Sequence, residues 1–367
     1  MKKAILQPQN SSLRESATAF VPHIQESYLA DATPDISDTA SDYTSAEEHY
    51  GSYPSGSHIF HDAAQKELLE SVKRGLKEGT HKLVLASDGL GGTYFVVGPR
   101  NRHVAVFKPS AQEVGMPSNP KGYRDVDKAG FPPGLGYKRE VAAYLLDHGH
   151  SAGVPTTVEV ELMGEHGSLQ QFVHCDGDAS SGWNRFKTDV VHRVGVLDIR
   201  MLNCDRHEGN LLCVRDPGAE DVAQSLTLVP IDHGYALPEG GLQDLEFDWA
   251  MFPQSKQPFA EDTLRYIAAL DADADVRLLS QMGFSEDVTD NLKAATLVLQ
   301  HASGRGYTLR EIGEFCRRTH MTQPSGLEAA IAAARTDMDA GGHIEWGLFQ
   351  SLVAIALPHL SPPLDAK

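Results

Sequence analysis

The stretch LNCDRHEGNLLCV, residues 202–214, crowds two acids, two bases and an amide into the positions from Asp205 to Asn210 and then turns apolar. Charged residues beside a glycine ordinarily mark a solvated turn, and on that ground alone the stretch would be a surface loop. The spacing argues for more. Asp205 stands five positions before Asn210, the interval at which a phosphoryl-transfer site sets a base and a metal-binding amide, and a second acid must then complete the metal clamp.

That acid is present in LTLVPIDHGYALPEG, residues 226–240. Leu226 to Ile231 has the branched, apolar character of a buried strand, and Asp232 lies at its end before His233 and Gly234. Leu211 to Val214 reads as the partner strand, so a hairpin would bring Asn210 and Asp232 together. Two oxygen ligands at that point suit Mg²⁺ or Mn²⁺, which share their coordination with phosphate.

The chain of 367 residues is long enough for one large bilobal domain or two ordinary ones, and its apolar fraction of 41% is globular. A formal charge of −18 argues against nucleic-acid binding. Between Lys66 and Arg139, however, basic residues outnumber acidic ones, so one face of that region could approach a bilayer. Cys175, Cys204, Cys213 and Cys316 are scattered and no signal peptide is expected, which points to a reducing, cytoplasmic compartment without disulfides. Cys204, His207 and Cys213 match no zinc spacing. No apolar run approaches a membrane span.

Residues 1–57 are rich in Ser, Thr, Asp and Ala without apolar periodicity, and are expected to form a disordered acidic tail. From Asp62, Leu68, Leu69, Val72 and Leu76 predict a helix that stops at Gly79. Strand-like runs begin at Lys82, Thr93 and His103, an economical β-meander with GPRN as one turn. A Gly/Pro-rich loop, 109–136, leads into the helix KREVAAYLLDHG, expected to end at Gly149, and then into the strands VPTTVEVEL and SLQQFV. The polar segment beginning at His174 marks a lobe boundary, so that 58–173 form an N-lobe and 174–367 a C-lobe. In the latter, DVVHRVGVLDIRMLN delivers the chain into the 202–214 stretch, and amphipathic helices run from about Glu261 to about Leu357.

The remaining parts of a phosphoryl-transfer site can be placed in order. SDGLGGTYF, residues 87–95, is a Gly-rich turn between strands, equally at home as a tight hairpin and as a phosphate cover. Lys108 closes the following strand and Glu140 lies near the start of the next helix, where they could pair as a kinase lysine and glutamate do. The resemblance is then specific. GLGGTYF, VAVFKP, GFPPGLGYKREVAAYLLDHGH, GSLQQFV, DGDAS, HRVGVLDIRMLNCDRHEGNLL and LTLVPIDHGYALPE are similar to the phosphatidylinositol 3-/4-kinase family, and within it to the plant-type gamma phosphatidylinositol 4-kinases, relatives of the type II lipid kinases. The similarity runs from about Asp62 to the C-terminal helices. Ahead of it, the ubiquitin-like repeats that often precede this domain have no counterpart.

The resemblance implies an α+β, bilobal, protein-kinase-like fold with a small β-rich N-lobe and a larger, mainly helical C-lobe. It implies ATP with Mg²⁺ or Mn²⁺, and phosphatidylinositol at a membrane surface as acceptor. A Ser/Thr protein kinase on the same fold is the alternative, and a nucleotide-binding scaffold without turnover a further one. Carried over position by position, Lys108 would bind the α-phosphate region with Glu140 orienting it, and Gly91, Gly92, Thr93 and Tyr94 would cover the phosphates. Gln171 and Val173 would offer backbone hydrogen bonds to adenine. Asp205 would take or orient the acceptor proton, His207 would stabilise phosphoryl charge, and Asn210 with Asp232 would hold the metal. Arg206 and Glu208 are assigned structural roles, as a salt bridge or a solvated rim.

Two departures bear on the substrate. After Asp232 the chain offers Glu239, Asp244, Glu246 and Asp248 and no Lys or Arg up to Gln254, so phosphorylated inositol headgroups would be repelled. The palmitoylated cysteine stretch of type II enzymes is also missing, leaving peripheral membrane contact without its usual anchor. Trp249, Met251, Phe252 and Pro253 form an apolar cluster beyond the acidic run, which could dip into a bilayer or pack the C-lobe.

Overall fold

The structure is a computed structural model that describes residues 62–182, 185–215, 226–242, 245–320, 322–336 and 342–359; the expected tail, 1–57, lies outside them. Helix α1 (Ala63–Lys77) opens the described chain, with the Asp62 carboxylate accepting from the Gln65 N–H and Gly79 taking a positive φ just past its end, where a Cβ would be strained. Strands β1 (Lys82–Leu85), β2 (Tyr94–Val97) and β3 (His103–Pro109) form the expected meander. Helix α2 (Gly136–Leu146) follows, then β4 (Thr157–Leu162) and β5 (Glu165–Gln171). The five strands make one antiparallel sheet in the order β1-β2-β3-β5-β4.

Alternation along β3 is what aims the site. Ala105, Phe107 and Pro109 are buried, while Val106 and Lys108 between them are only partly so. Because successive side chains leave opposite faces, the apolar set meets Leu69 and Val72 of α1 in a core with Val96, Val158, Val160 and Leu169, and Lys108 is delivered to the other face.

The helix expected to reach Gly149 ends at Leu146. The Asp147 carboxylate accepts from the N–H groups of Ala152, Gly153 and Val154 at 2.7–3.0 Å, a local alternative to further helix that short polar side chains characteristically supply.

Beyond the sheet come α3 (Thr188–Met201), the hairpin β6 (Leu211–Arg215) and β7 (Leu226–Pro230), and, among the described residues, six further α-helices: α4 (Glu261–Ala269), α5 (Ala272–Gln281), α6 (Glu286–Ser303), α7 (Leu309–Cys316), α8 (Gly326–Ala334) and α9 (Trp346–Ala356). The fold is thus α+β, with a small sheet-rich lobe and a larger helical one. Helix α3 runs through the C-lobe core with Val191, Val194, Ile199 and Met201 fully or nearly buried. At Gly195 a Cβ would fall 2.4 Å from the Leu309 side chain, so glycine there lets α7 sit close. Among the described residues no helix is long and apolar enough to cross a membrane.

The choice left open for the 249–253 cluster is decided here. Trp249 and Phe252 are both 0% exposed and belong to the C-lobe core with Phe247, Phe259, Ile312 and Phe315. The Trp249 and Phe247 rings stack with centroids 4.7 Å apart. Trp249 also has an internal hydrogen-bond partner for its indole N–H, described below, which favours burial over a bilayer surface. Only Met251 and Pro253 remain exposed.

Candidate active site

Helix α3 ends at Leu202, which adopts a left-handed conformation (φ 48°) and turns the chain sharply into the 203–210 loop. That loop is held from beneath by a buried cluster centred on Asp198. The Asp198 carboxylate accepts from Arg206 Nε at 2.9 and 3.1 Å, from Asn203 Nδ2 at 3.1 Å and from Trp249 Nε1 at 3.0 Å. Arg206 Nη1 also donates to the carbonyls of Asn210 at 2.6 Å and Ile231 at 2.8 Å. One guanidinium therefore ties helix, loop and β7 end together, the planar fork that arginine offers and lysine does not. The salt bridge expected for Arg206 is present, with both side chains 0% exposed. Glu208 has its N–H capped by the Asp248 carboxylate at 3.0 Å, so one acid of the 239–248 run is engaged in holding the loop.

Pairing of Leu211 with Pro230 starts the hairpin, and the Ile231 N–H to Asn210 carbonyl bond at 3.0 Å extends it. The two metal-ligand candidates are thus set at neighbouring strand ends, as the hairpin reading required. Asn210 Nδ2 donates to the Asp205 carbonyl at 2.9 Å, leaving its Oδ1 as the atom available to a cation. Asp232, half-exposed, sits at φ 55°, a conformation uncommon outside glycine, asparagine and aspartate.

Lys108 reaches Glu140 Oε1 at 2.5 Å and Asp232 Oδ1 at 3.0 Å. Glu140 Oε2 accepts from the His233 backbone N–H at 3.1 Å, so the two carboxylate oxygens join the β3 lysine to the segment carrying Asp232. Burial works against the charge on both partners. The Lys108 ammonium nevertheless holds Glu140 far below the ordinary carboxylate range, and Asp232 with Glu140 holds Lys108 above the ordinary lysine range. Asp205 is raised, by burial first and by the negative charge of Asp232 second, with Lys128, His207 and Arg206 pulling the other way. His207 is exposed and its Nδ1 accepts from the Gly209 N–H at 3.1 Å, an arrangement that places its own proton on Nε2.

The candidate nucleotide contacts divide. Gly92 donates its N–H to the Gln112 carbonyl at 2.7 Å, and a Cβ there would lie 2.6 Å from the Gln112 side chain. Tyr94 hydroxyl donates to Gln112 Oε1 at 2.8 Å, and Thr93 N–H donates to the Gly91 carbonyl at 3.1 Å. Those partners lie within the lobe, whereas a Cβ at Gly91 would meet nothing within 4 Å. The Gln171 N–H is likewise engaged, donating to the Thr156 carbonyl at 2.8 Å. Val173 is half-buried, just past β5.

Four residues that hold the site escaped sequence reasoning. Glu113 accepts from the N–H groups of Gly134, Gly136 and Tyr137 at 2.8–2.9 Å, satisfying the free donors at the start of α2, the helix that carries Glu140. Asn119, fully buried, donates to the carbonyls of Leu90, Gln112 and Glu113 and accepts from the N–H groups of Lys121 and Tyr123, pinning the Gly-rich turn to the 110–135 loop. Lys128 projects from that loop toward Tyr235. For Asp198 alone a signal existed, a carboxylate set at helical spacing with Val191, Val194 and Met201 on the apolar face of α3.

A lysine and a helix glutamate from a small sheet lobe meet an acid at the end of a C-lobe hairpin, beside a loop carrying an acid and an amide. That is the arrangement of a kinase-fold phosphotransferase. The family of phosphatidylinositol 3- and 4-kinases matches residues 90–312, and the chain belongs to it. Relatives include phosphatidylinositol 4-kinase gamma 4 of Arabidopsis thaliana, 36% identical over 302 residues that cover 74% of this chain and 52% of the relative. Phosphatidylinositol 4-kinase gamma 5 of Arabidopsis thaliana is 39% identical over 305 residues, covering 73% of this chain and 47% of the relative. Phosphatidylinositol 4-kinase gamma 4 of Oryza sativa subsp. japonica is 38% identical, covering 74% and 51%. The chain spans about half the length of these relatives. Among solved structures, the Rio2 kinase-ADP/Mg²⁺-phosphoaspartate complex from Chaetomium thermophilum aligns at a TM-score of 0.37 and 14% identity, over 66% of this chain and 77% of that one.

Proposed function

We propose that the chain transfers the γ-phosphoryl group of ATP to the 4-hydroxyl of phosphatidylinositol, in the cytoplasm and at peripheral contact with a membrane. The observation that carries this reading is the Glu140, Lys108 and Asp232 chain of ion pairs closing against the Asp205 loop, in a member of this family whose relatives bear the name phosphatidylinositol 4-kinase. Lys108, kept charged and oriented by Glu140, is the group to meet ATP phosphates. Asp205, made more basic by burial and by Asp232, suits proton acceptance from the acceptor hydroxyl. His207 presents an Nε2 proton at the loop surface, where it can hydrogen-bond a transferring phosphoryl oxygen.

Asn210 and Asp232 are the residues to hold Mg²⁺ or Mn²⁺. The donor chemistry fits: one amide oxygen is left by the Asn210 bond to Asp205, and the repulsion felt by Asp205 from Asp232 is the field a divalent cation relieves. Once bound, such a cation supplies charge neutralisation at the phosphates. Everything else is positioning, which accounts for most of the protein's part in phosphoryl transfer.

The test offers the purified chain labelled ATP with phosphatidylinositol vesicles in one tube and a generic protein acceptor in another. Labelled phosphatidylinositol 4-phosphate, lost on chelation of divalent cations, is expected. Robust protein labelling with no lipid product would overturn the lipid assignment in favour of a protein kinase.

A further inference from the structure

The 110–135 loop crosses from the sheet lobe to the segment that follows Asp232. Its crossing point is a tight turn in which the Phe131 N–H donates to the Lys128 carbonyl at 2.9 Å and Gly130 takes φ 81°. The Gly130 carbonyl accepts from the Glu239 N–H at 2.9 Å, and a Cβ at Gly130 would lie 2.8 Å from the Glu239 carbonyl. Only glycine meets both demands, the left-handed φ and the close backbone approach. The turn is thereby docked on the C-lobe with its lysine facing the site.

Lys128 Nζ lies 3.9 Å from the centroid of the Tyr235 ring and 5.4 Å from that of Phe131, and those two rings pack edge to face at 5.3 Å. Arg139, buried, lies 5.2 Å from the same Phe131 ring, with Glu113 and Glu239 near enough to offset its charge. Lys128 is held differently: among the described residues no hydrogen bond or ion pair engages its ammonium. The Tyr235 carbonyl accepts from the Cys204 N–H at 2.9 Å, which sets the ring under Lys128 next to Asp205, whereas Lys108 is bound to Glu140 and Asp232. The two lysines therefore serve different sides of the site, one by the nucleotide metal position and the other by the acceptor base. Cation-π contact holds an ammonium in place without consuming its N–H donors.

The segment after Asp232 supplies no basic residue up to Gln254, so an anionic acceptor must find its cation elsewhere. We propose that Lys128 is the acceptor-side anion ligand, donating to the phosphodiester of phosphatidylinositol while its inositol ring lies at Asp205. A single ammonium offers one anionic group a partner, consistent with a headgroup bearing only the bridging phosphate. This inference rests on the lipid-kinase reading, and the experiment separates the two.

Wild type, Lys128→Met and Lys128→Arg are compared in steady-state phosphorylation of phosphatidylinositol vesicles. Competition by soluble glycerophosphoinositol and by myo-inositol is measured in parallel. The expected result is a rise of roughly ten- to a hundred-fold in the acceptor KM of Lys128→Met, the range of one charge-assisted hydrogen bond, with the ATP KM moved less than twofold and Lys128→Arg largely restored. Glycerophosphoinositol should lose inhibitory potency against Lys128→Met by a similar factor, while myo-inositol, which lacks the phosphate, inhibits all three proteins equally. The soluble competitor separates a headgroup contact from attraction to a charged bilayer. An unchanged acceptor KM, a fall confined to kcat, or equal losses for both competitors would each overturn the assignment. If wild type makes no lipid product at all, it is the underlying function that fails.

Discussion

Replacing Arg206 with Met removes the hub beneath the 203–210 loop while roughly keeping its volume. Four hydrogen bonds are lost, two to Asp198 and one each to the carbonyls of Asn210 and Ile231. Removing one member of a buried ion pair costs about 3–5 kcal/mol. Here the low end applies, because Asp198 keeps donors from Asn203 and Trp249. A loss of about 3 kcal/mol is a large share of the ~5–15 kcal/mol that a domain has in total. At roughly 2–4 °C per kcal/mol it lowers Tm by about 6–12 °C. Thermal unfolding followed by circular dichroism reads this directly. Arg206→Lys should fall between wild type and Met, since one ammonium cannot span a carboxylate and two carbonyls. Combining Arg206→Met with Trp249→Phe should give a coupling of about 0.5–3 kcal/mol, because both residues donate to Asp198. A Tm drop under about 2 °C for Arg206→Met, equivalent to less than ~1 kcal/mol, would refute the idea that this guanidinium ties the loop to β7.

Three further outcomes are expected. Asp205→Ala should abolish phosphoryl transfer while leaving ATP binding largely intact, and Asp232→Ala should weaken metal-dependent ATP binding as well; calorimetric titration with and without divalent cation separates the two, and turnover near wild type in Asp205→Ala would remove the base assignment. Trp249→Ser and Phe252→Ser should each cost about 3–5 kcal/mol as large-to-small core changes, depressing lipid phosphorylation and autophosphorylation together, so that selective loss of the lipid reaction with unchanged Tm would contradict their burial. Asp275 is held below its ordinary value of 3.8 because His148 and Arg200 outweigh the opposing effect of burial. A depressed carboxyl contributes stability above its unfolded value and loses it as pH falls further, so Asp275→Asn should show a shallower Tm decline than wild type between about pH 4.5 and pH 3, and parallel curves would show that Asp275 is not part of the acid limb.

The order of the elements was legible because strand and helix periods are local. Alternation in HVAVFKP and the apolar spacing in DVVHRVGVLDIRM state which residues share a face, and both segments form the expected elements. The hairpin that sets Asn210 beside Ile231 followed from two apolar runs and their flanks. Lys108 and Glu140 could be paired in advance by their order along the chain, and they do pair. Gly92 was less legible. A glycine between strands reads the same whether its N–H meets a phosphate or the Gln112 carbonyl, and the latter is its partner here.

By itself, the amino-acid sequence determined the elements, their succession and the residue types that phosphoryl transfer requires, since these depend on backbone preference and on side-chain chemistry a few positions apart. Only the tertiary structure decided who meets whom. Trp249 and Phe252 carry the same apolar surface whether they face a bilayer or a core, and it is docking against α3 and α7 that buries them. Arg206 carries the same charge on a rim as in a hub, and it is the approach of Asp198 from one side and Ile231 from the other that makes it the hub. Lys128 came into view only when the Gly130 turn docked on Glu239. Such contacts join residues far apart in the chain, and their existence depends on how whole elements pack, which no local pattern encodes.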